Sequence, residues 1–535
     1  MAEKIEKRSP DILLRNGLLV DGTGGAPRAA NLLIRAGRIH RISEKPIRTT
    51  GVAIDCAGMV VAPGFIDVHS HLDVIASPKT REELKQPVVA QGITTVVGGS
   101  CGSSAAGFRQ KSTFRAQVQT TMPYAMPIPP WDTVGELFDR LANSGTCANL
   151  AILAGHGSAR ASIRGLGPSP LHPYEEKELL WLLESAMDQG ARGVSLGLQQ
   201  SPGASARPEE LKEIALLVRR KGKLLAAHLR AYSALAPGVP SRPFGEPQNL
   251  VALREALDLA RQTGIRLQVS HLLFAGPRTW RTCEPALRAI DRAIADGVDV
   301  RFDITPRARC DISIGLLLPP WFIARLPGAF EEAGLLGRLG KELHRLERRL
   351  GIGASEVTLS EAGDAELSEY AGMSLAEIAR LLRMRPANAL VEITRRTAGA
   401  ARIQIERCGT DRILEALARH PASLFSAGSP GAGSPGSFPR FLQIARDRRL
   451  ITLEEAVRKM SGAAAERFGL VDRGFLRESL AADIVVFDWE KVADNTTAER
   501  PSAAPSGIEY VFINGRKIVS GSKRESPLTA GIPLR

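Results

Sequence analysis

Three stretches in the middle of the chain set the strongest constraint on its fold. Residues 173–190 (PYEEKELLWLLESAMDQG), 207–222 (RPEELKEIALLVRRKG) and 249–264 (NLVALREALDLARQTG) repeat apolar residues with a period near 3.6. Each ends on a glycine, Gly190, Gly222 or Gly264, and a short apolar run follows at once. Glycine adopts the left-handed conformation that closes a helix without steric cost, so helix gives way directly to strand. Pro208 with Glu209 and Glu210 marks a helix start, because proline's missing N–H costs nothing in the first turn and carboxylates there face the positive end of the helix dipole. Eight brief apolar runs share this rhythm: FIDVH, TTVVGG, LAILAG, RGVSLG, LLAAH, LQVSH, VDVRFD and SLFSAG. Eight strand–helix units with strands buried on both faces predict an α/β fold with a (β/α)8 TIM-like barrel.

The two ends of the chain have another texture. DILLRNGLLVDG, NLLIRAGRIHRISE and VAIDCAGMVVAP alternate apolar and polar residues and break at Asn-Gly, Asp-Gly and Ala-Gly pairs, the pattern of hairpins. The same texture returns in AADIVVFDWEKV and IEYVFINGRKIVSG. These segments predict one small β-sandwich domain assembled from both ends, residues 1–62 and 474–535, around a barrel spanning 63–473.

Barrel enzymes carry their chemistry at the C-terminal ends of the strands. Here those ends hold His69 and His71 (DVHSHLD), Cys101 (GGSCGSS), His156 (AGHGSAR), His228 (AAHLR) and His271 (VSHLL), so five of the chain's nine histidines stand there. Two histidines separated by one residue on a strand project to the same face and can ligate one metal together. A lone strand-end histidine is ordinarily a hydrogen-bonding residue. An HxH pair with two further strand-end histidines and a cysteine is instead a donor set suited to zinc, which favours nitrogen and thiolate.

Several classes are excluded. The net charge is +13, but Arg and Lys are scattered, and the densest run, RLGKELHRLERRL at 338–350, interleaves Glu as a solvated helix face does. No nucleic-acid partner is expected, whereas the field suits a small anionic substrate. No apolar stretch is long enough to span a membrane, and MAEKIEKRSPDILL lacks an apolar signal core, so the expected location is cytoplasmic. Six cysteines in 535 residues make no disulfide framework; Cys56, Cys147, Cys283 and Cys310 read as small buried hydrophobes, and Cys408 is unassigned. Oligomeric state is not legible.

The segments DGTGG, GMVVAPGFIDVHSHLD, QGITTVV followed by CG, GHGSARASIRG, AAHLR and VSHL resemble, in order, the D-aminoacylase (N-acyl-D-amino-acid deacylase) branch of the amidohydrolase superfamily. So do GMSLAEIA, GSFPRFL, LEEAVRKMSGAAAERFGLVDRG and ADIVVFD. The resemblance implies one tight Zn2+ at Cys101, His228 and His271, with a second, optional metal at His69 and His71. It also implies that Cys101 takes the bridging place of the carboxylated lysine found elsewhere in the superfamily; GARGVSLGLQQ has no lysine.

Against that family, Pro430 stands where a catalytic Asp belongs, and no Asp or Glu occurs from Pro421 to Arg440. Leu273 and Thr305 replace a Lys and a Tyr of the substrate-carboxylate clamp, and the clamp's Arg is absent from the shortened loop before FPR. Arg307 and Arg309 are candidates to replace the clamp, and His156 is a candidate replacement for the lost base. The expected activity is zinc-dependent hydrolysis of a C–N bond, amide or cyclic amide. The alternatives are a zinc-dependent lyase, isomerase or cyclase, and a non-catalytic zinc-binding homologue.

Overall fold

A computed structural model of the chain describes residues 10–535, apart from 75–83, 121–129, 236–244, 429–434, 324, 326–327, 365, 398, 400, 498–499, 501, 522 and 525–527. Strands β1 (Ile12–Leu19), β2 (Arg28–Arg35) and β3 (Arg38–Ser43) form an antiparallel meander. β4 (Val52–Asp55) and β5 (Val60–Pro63) then run parallel to β1, along its first and second halves.

The strands expected for the barrel come next: β6 (Phe65–Asp67), β7 (Ile93–Gly98), β8 (Asn149–Ile152), β9 (Ala154–Gly155), β10 (Gly193–Gly197), β11 (Leu224–His228), β12 (Arg266–Val269) and β13 (Val300–Ile304). After an insertion containing β14 (Cys310–Ser313), β15 (Val357–Glu361) and β16 (Arg402–Ile405), the chain rejoins them as β17 (Ser423–Phe425). It ends in β18 (Ile484–Phe487), β19 (Ile508–Ile513), β20 (Arg516–Ser520) and β21 (Lys523–Arg524).

All eight apolar runs are strands, and all pair in parallel. The ladder has two arcs, β6-β7-β8 and β9-β10-β11-β12-β13-β17, which meet at Leu153 between β8 and β9. Among the described residues no ladder joins β17 to β6; there the Ala427 N–H donates to Asp67 Oδ1 at 3.1 Å. Alternate side chains face opposite ways, as strand geometry requires. Ile66, Val97, Ala151, Leu224, Ala226 and Leu424 share a core with Leu534 and the helix Gly462–Phe468, whereas Val96, Leu150, Leu225 and Leu267 pack on the surrounding helices. Helices Pro173–Asp188, Pro208–Arg220 and Gln248–Thr263 match the periodic stretches, and Gly264 caps the last with φ +66°.

The two ends combine through β18, which pairs antiparallel with β5. The result is one continuous sheet in the order β21-β20-β19-β18-β5-β1-β2-β3, with β4 beside β1. Ile484 and Val486 join Leu14, Leu32 and Phe512 in a core lined by the sheet itself, while Val485 and Phe487 join the strand–helix core of the middle domain. The end of the chain does not stay with this sheet. Leu150 N–H donates to Ile532 O, and Leu534 N–H donates back to Leu150 O.

The segment 310–408, expected to be barrel, is a separate unit. Its antiparallel sheet β14-β16-β15 and helices such as Ala333–Leu350 enclose their own core around Ile314, Phe322, Leu359, Ile378 and Ile403. Its two ends are joined by a disulfide between Cys310 and Cys408. This corrects the reading of Cys310 as a small buried hydrophobe in a chain without disulfides: residues 98 apart in sequence become neighbours because β14 pairs with β16. No helix among the described residues is long and apolar enough to cross a membrane.

Candidate metal centre

Cys101 follows β7 in a turn that few residues other than glycine could form. Gly99 and Gly102 both have φ +73°; a Cβ on Gly99 would lie 2.1 Å from Leu153 O, and one on Gly102 2.6 Å from Gly197 N. Cys101 itself is held at φ +55°. Gly102 N–H donates to Ser195 Oγ (3.0 Å), Gln200 Nε2 donates to Cys101 O (2.8 Å), and Ala105 N–H donates to the buried Asp73 (2.8 Å). A non-glycine residue held in this region costs about 1–3 kcal/mol, which these bonds offset in order to point the thiol inward.

His69 and His71 follow β6, which ends at Asp67, in the bend beyond it, His228 is the last residue of β11, and His271 stands just beyond β12 with φ +32°. Cys101 Sγ lies 3.2 Å from His69 Nε2, 3.3 Å from His228 Nδ1 and 3.4 Å from His271 Nε2. His228 Nδ1 and His271 Nε2 are 3.0 Å apart. Two overlapping triads result, His69–His71–Cys101 and Cys101–His228–His271, with the sulfur common to both. All five residues proposed from the sequence as ligands are thus brought together.

Desolvation keeps the imidazoles neutral. It lowers His69 to about 4 and His271 to about 3, and holds His71 and His228 well below the ordinary histidine value, each with its neighbours' help. It also pushes the Cys101 thiol up. Neutral imidazoles present lone pairs, and a sulfur ringed by three such nitrogens has one proton to share among them. A divalent cation satisfies this donor set and stabilises the thiolate that burial alone opposes.

Outer partners aim the rings. Gln199 Oε1 lies 3.0 Å from His228 Nε2, which leaves Nδ1 facing the sulfur. Tyr232 accepts from Leu229 N–H and donates to Ser270 O, both at 2.9 Å, and its ring lies 4.9 Å from those of His228 and His271. Asp303, fully buried on β13, accepts the His271 N–H at 2.9 Å and lies 3.6 Å from His69 Nδ1. Gln199, Tyr232 and Asp303 were not singled out from the sequence. Only Asp303 carried a signal, as a polar residue at the end of an expected strand.

The other candidates are placed elsewhere. His156 opens the helix His156–Arg164 with its ring fully buried, and its Nε2 lies 2.7 Å from Glu210 Oε1, which also accepts from Arg160 Nε at 3.2 Å. It is not among the converging donors. Arg307 donates to Asp494 (2.6 Å) and Thr496 (2.8 Å), and the Asp494 side chain is fully buried beneath it. Arg309 lies against the Gln404 amide on β16, whose oxygen accepts from it in the orientation that satisfies both groups. Leu273 packs between the middle-domain and insertion cores, and Thr305 Oγ1 donates to Arg307 O at 3.3 Å. Pro430 lies outside the described residues.

No family model matches the chain. It is 32% identical to an N-acyl-D-glutamate deacylase of Alcaligenes xylosoxydans xylosoxydans, over 94% of this chain and 93% of that one. It is 30% identical to a D-aminoacylase of the same organism, over 95% and 94%. Among solved structures it superposes on an N-acyl-D-glutamate deacylase from Bordetella bronchiseptica, complexed with zinc and a phosphonate inhibitor, with a TM-score of 0.81 and 28% identity over 98% of this chain and 100% of that one.

Proposed function

The chain belongs to the D-aminoacylase branch of the amidohydrolase superfamily, and on that premise we propose that it is a zinc-dependent hydrolase of a C–N bond, amide or cyclic amide, in a small molecule. One observation carries the reading: a buried thiol within 3.2–3.4 Å of three imidazole nitrogens at the strand ends. Cys101, His228 and His271 hold one zinc tightly, and His69 and His71 share Cys101 to hold a second, optional one. The eight parallel strands enclose this centre as a TIM-like barrel. When bound, zinc polarises a carbonyl and makes water nucleophilic near neutral pH.

The chain's own residues do the remaining work. Gln199 and Tyr232 orient the rings, and the Cys101 turn sets the thiol between the two triads. His156 braces the helix behind that turn, where Ser158 N–H donates to Gly102 O. Arg307 ties its loop to the Asp494 carboxylate; Arg309, which meets the neutral Gln404 amide, is the remaining candidate for an anionic group on the substrate. With Leu273 and Thr305 in the clamp positions, simple N-acyl-D-amino acids are poor substrates. A second reading, elimination, isomerisation or cyclisation on the same centre, is favoured by one feature: the stretch from Pro421 to Arg440 has no carboxylate to relay a proton.

The test is elemental analysis of the parent, Cys101→Ala and His271→Ala proteins, followed by a panel of N-acyl-D-amino acids and cyclic amides. The parent is expected to hold zinc and the variants to lose the tight equivalent. For simple N-acyl-D-amino acids kcat/KM is expected below about 10⁴ M⁻¹s⁻¹. Full zinc in His271→Ala refutes the ligand assignment. Product formed in ¹⁸O-water without incorporated label selects the second reading.

A further inference from the structure

The two supports behind the ligand rings are chemically unequal. His228 is backed by the neutral amide of Gln199, whereas His69 is backed by the carboxylate of Asp303. Asp303 also reaches beyond His69. Its Oδ2 accepts the His271 N–H at 2.9 Å and the Ser426 hydroxyl at 3.2 Å, and its Oδ1 accepts from Gln268 Nε2 at 3.1 Å. The side chain is sealed from solvent, with Gln268 of β12 and Ser426, just past β17, contributing donors.

We infer that Asp303 is the positioning residue of the metal centre: one carboxylate fixes the His69 ring with its proton on Nδ1 and its Nε2 turned to Cys101, and holds the His271 backbone in its left-handed turn. The inference rests on the zinc reading above and deepens it. His69 belongs to one triad and His271 to the other, so Asp303 couples the geometry of both positions. The contact to His69 Nδ1, at 3.6 Å, is the longest in this network and sets the carboxylate on the Nδ1 side of the ring. A carboxylate in that place raises the basicity of the opposite ring nitrogen, and losing such a partner generally costs about 10–100-fold in metal affinity. Both Asp303 oxygens are occupied by protein donors, so the residue acts through the ligands rather than on substrate.

Asp303→Asn separates positioning from scaffolding. Asn keeps an acceptor for His69 and the His271 N–H, and its new NH2 group has a ready acceptor, because Gln268 Oε1 is buried without a partner and the Gln268 amide can turn. Zinc affinity is measured by chelator competition for parent, Asp303→Asn and Asp303→Ala, with the thiolate-to-cobalt absorption of the cobalt-loaded proteins and the melting temperature of the metal-free proteins. Affinity is expected to fall about 10-fold in Asp303→Asn and towards 100-fold in Asp303→Ala. The thiolate-to-cobalt band is expected to shift in both. Parent-like zinc affinity and cobalt spectrum in Asp303→Asn overturn the inference, even if the metal-free protein melts earlier. Should Asp303→Ala not fold, Asp303→Asn alone decides. A parent protein that binds no zinc overturns the functional reading itself, which is a separate outcome.

Discussion

Replacing Glu210 by glutamine removes the one negative charge from a pocket that contains Arg160, His156 and almost no solvent. The Arg160 and His156 side chains are fully buried, and Glu210 is 4% exposed. Glu210 Oε1 accepts from Arg160 Nε at 3.2 Å and lies 2.7 Å from His156 Nε2. At 3.2 Å and an effective dielectric near 20 the attraction is about 5 kcal/mol, and removing one partner of a buried pair generally costs about 3–5 kcal/mol. Glutamine keeps an acceptor, so Glu210→Gln should cost about 3 kcal/mol and Glu210→Ala about 5. Urea unfolding of zinc-saturated protein, followed by circular dichroism, measures both. Arg160→Met with Glu210→Leu should recover most of the loss, because no charge is then stranded. The effect depends on pH. Burial works to raise the Glu210 pKa, but the His156 hydrogen bond and the Arg160 charge outweigh it and leave it below 4.5. The contribution is therefore complete above that value and is lost as pH falls through the lower folded-state pKa, so parent and Glu210→Gln should converge in acid. A Glu210→Gln loss under about 1 kcal/mol at neutral pH would refute the reasoning, because a lone buried guanidinium cannot be that cheap.

Arg307→Ala leaves the buried Asp494 carboxylate with the two Thr496 donors and, as a cation, Arg440 at 3.7 Å, and should cost about 3 kcal/mol of stability while KM changes little. A tenfold rise in KM at unchanged stability would return Arg307 to the substrate. The Cys310–Cys408 bond closes a long loop, worth up to about 4.7 kcal/mol in chain entropy, so reduction should speed proteolysis within 310–408 more than elsewhere. Denatured, unreduced protein should show four reactive thiols; six would exclude the bond.

The parallel strands and the five converging donors were legible because each is a local signal: a short apolar run, a capping glycine, a histidine one step past the run. What was not legible depends on residues distant in sequence. The strands CDIS, VTLSE and RIQI are short and polar, and nothing in any of them says that Cys310 will lie opposite Ile405. The insertion therefore read as more barrel, residues 338–350 of its helix Ala333–Leu350 as a solvated helix face, Cys310 as a small buried hydrophobe and Cys408 as unassigned. Arg307 shows the same limit from the other side. It stands in a loop beside the expected clamp, and only the return of residue 494 to that loop turns a candidate substrate ligand into a strut. Asp303 ends an apolar run as the histidines do, but a carboxylate there has no preferred reading until its donors from Gln268, His271 and Ser426 are known.

The pairing of β5 with β18 also bears on how the protein is made. These neighbours in the sheet are roughly 400 residues apart, and at about 5–20 residues per second the ribosome needs on the order of 20–80 s to deliver the second after the first. For that interval the first five strands wait with the edge of β5 open, and Val60–Pro63 is a buried, apolar segment in the finished protein. An open strand edge pairs readily with another chain, and neighbouring nascent copies on one message offer the same edge. Yield in a heterologous host should therefore follow chaperone supply and translation rate more closely than the stability of the completed fold.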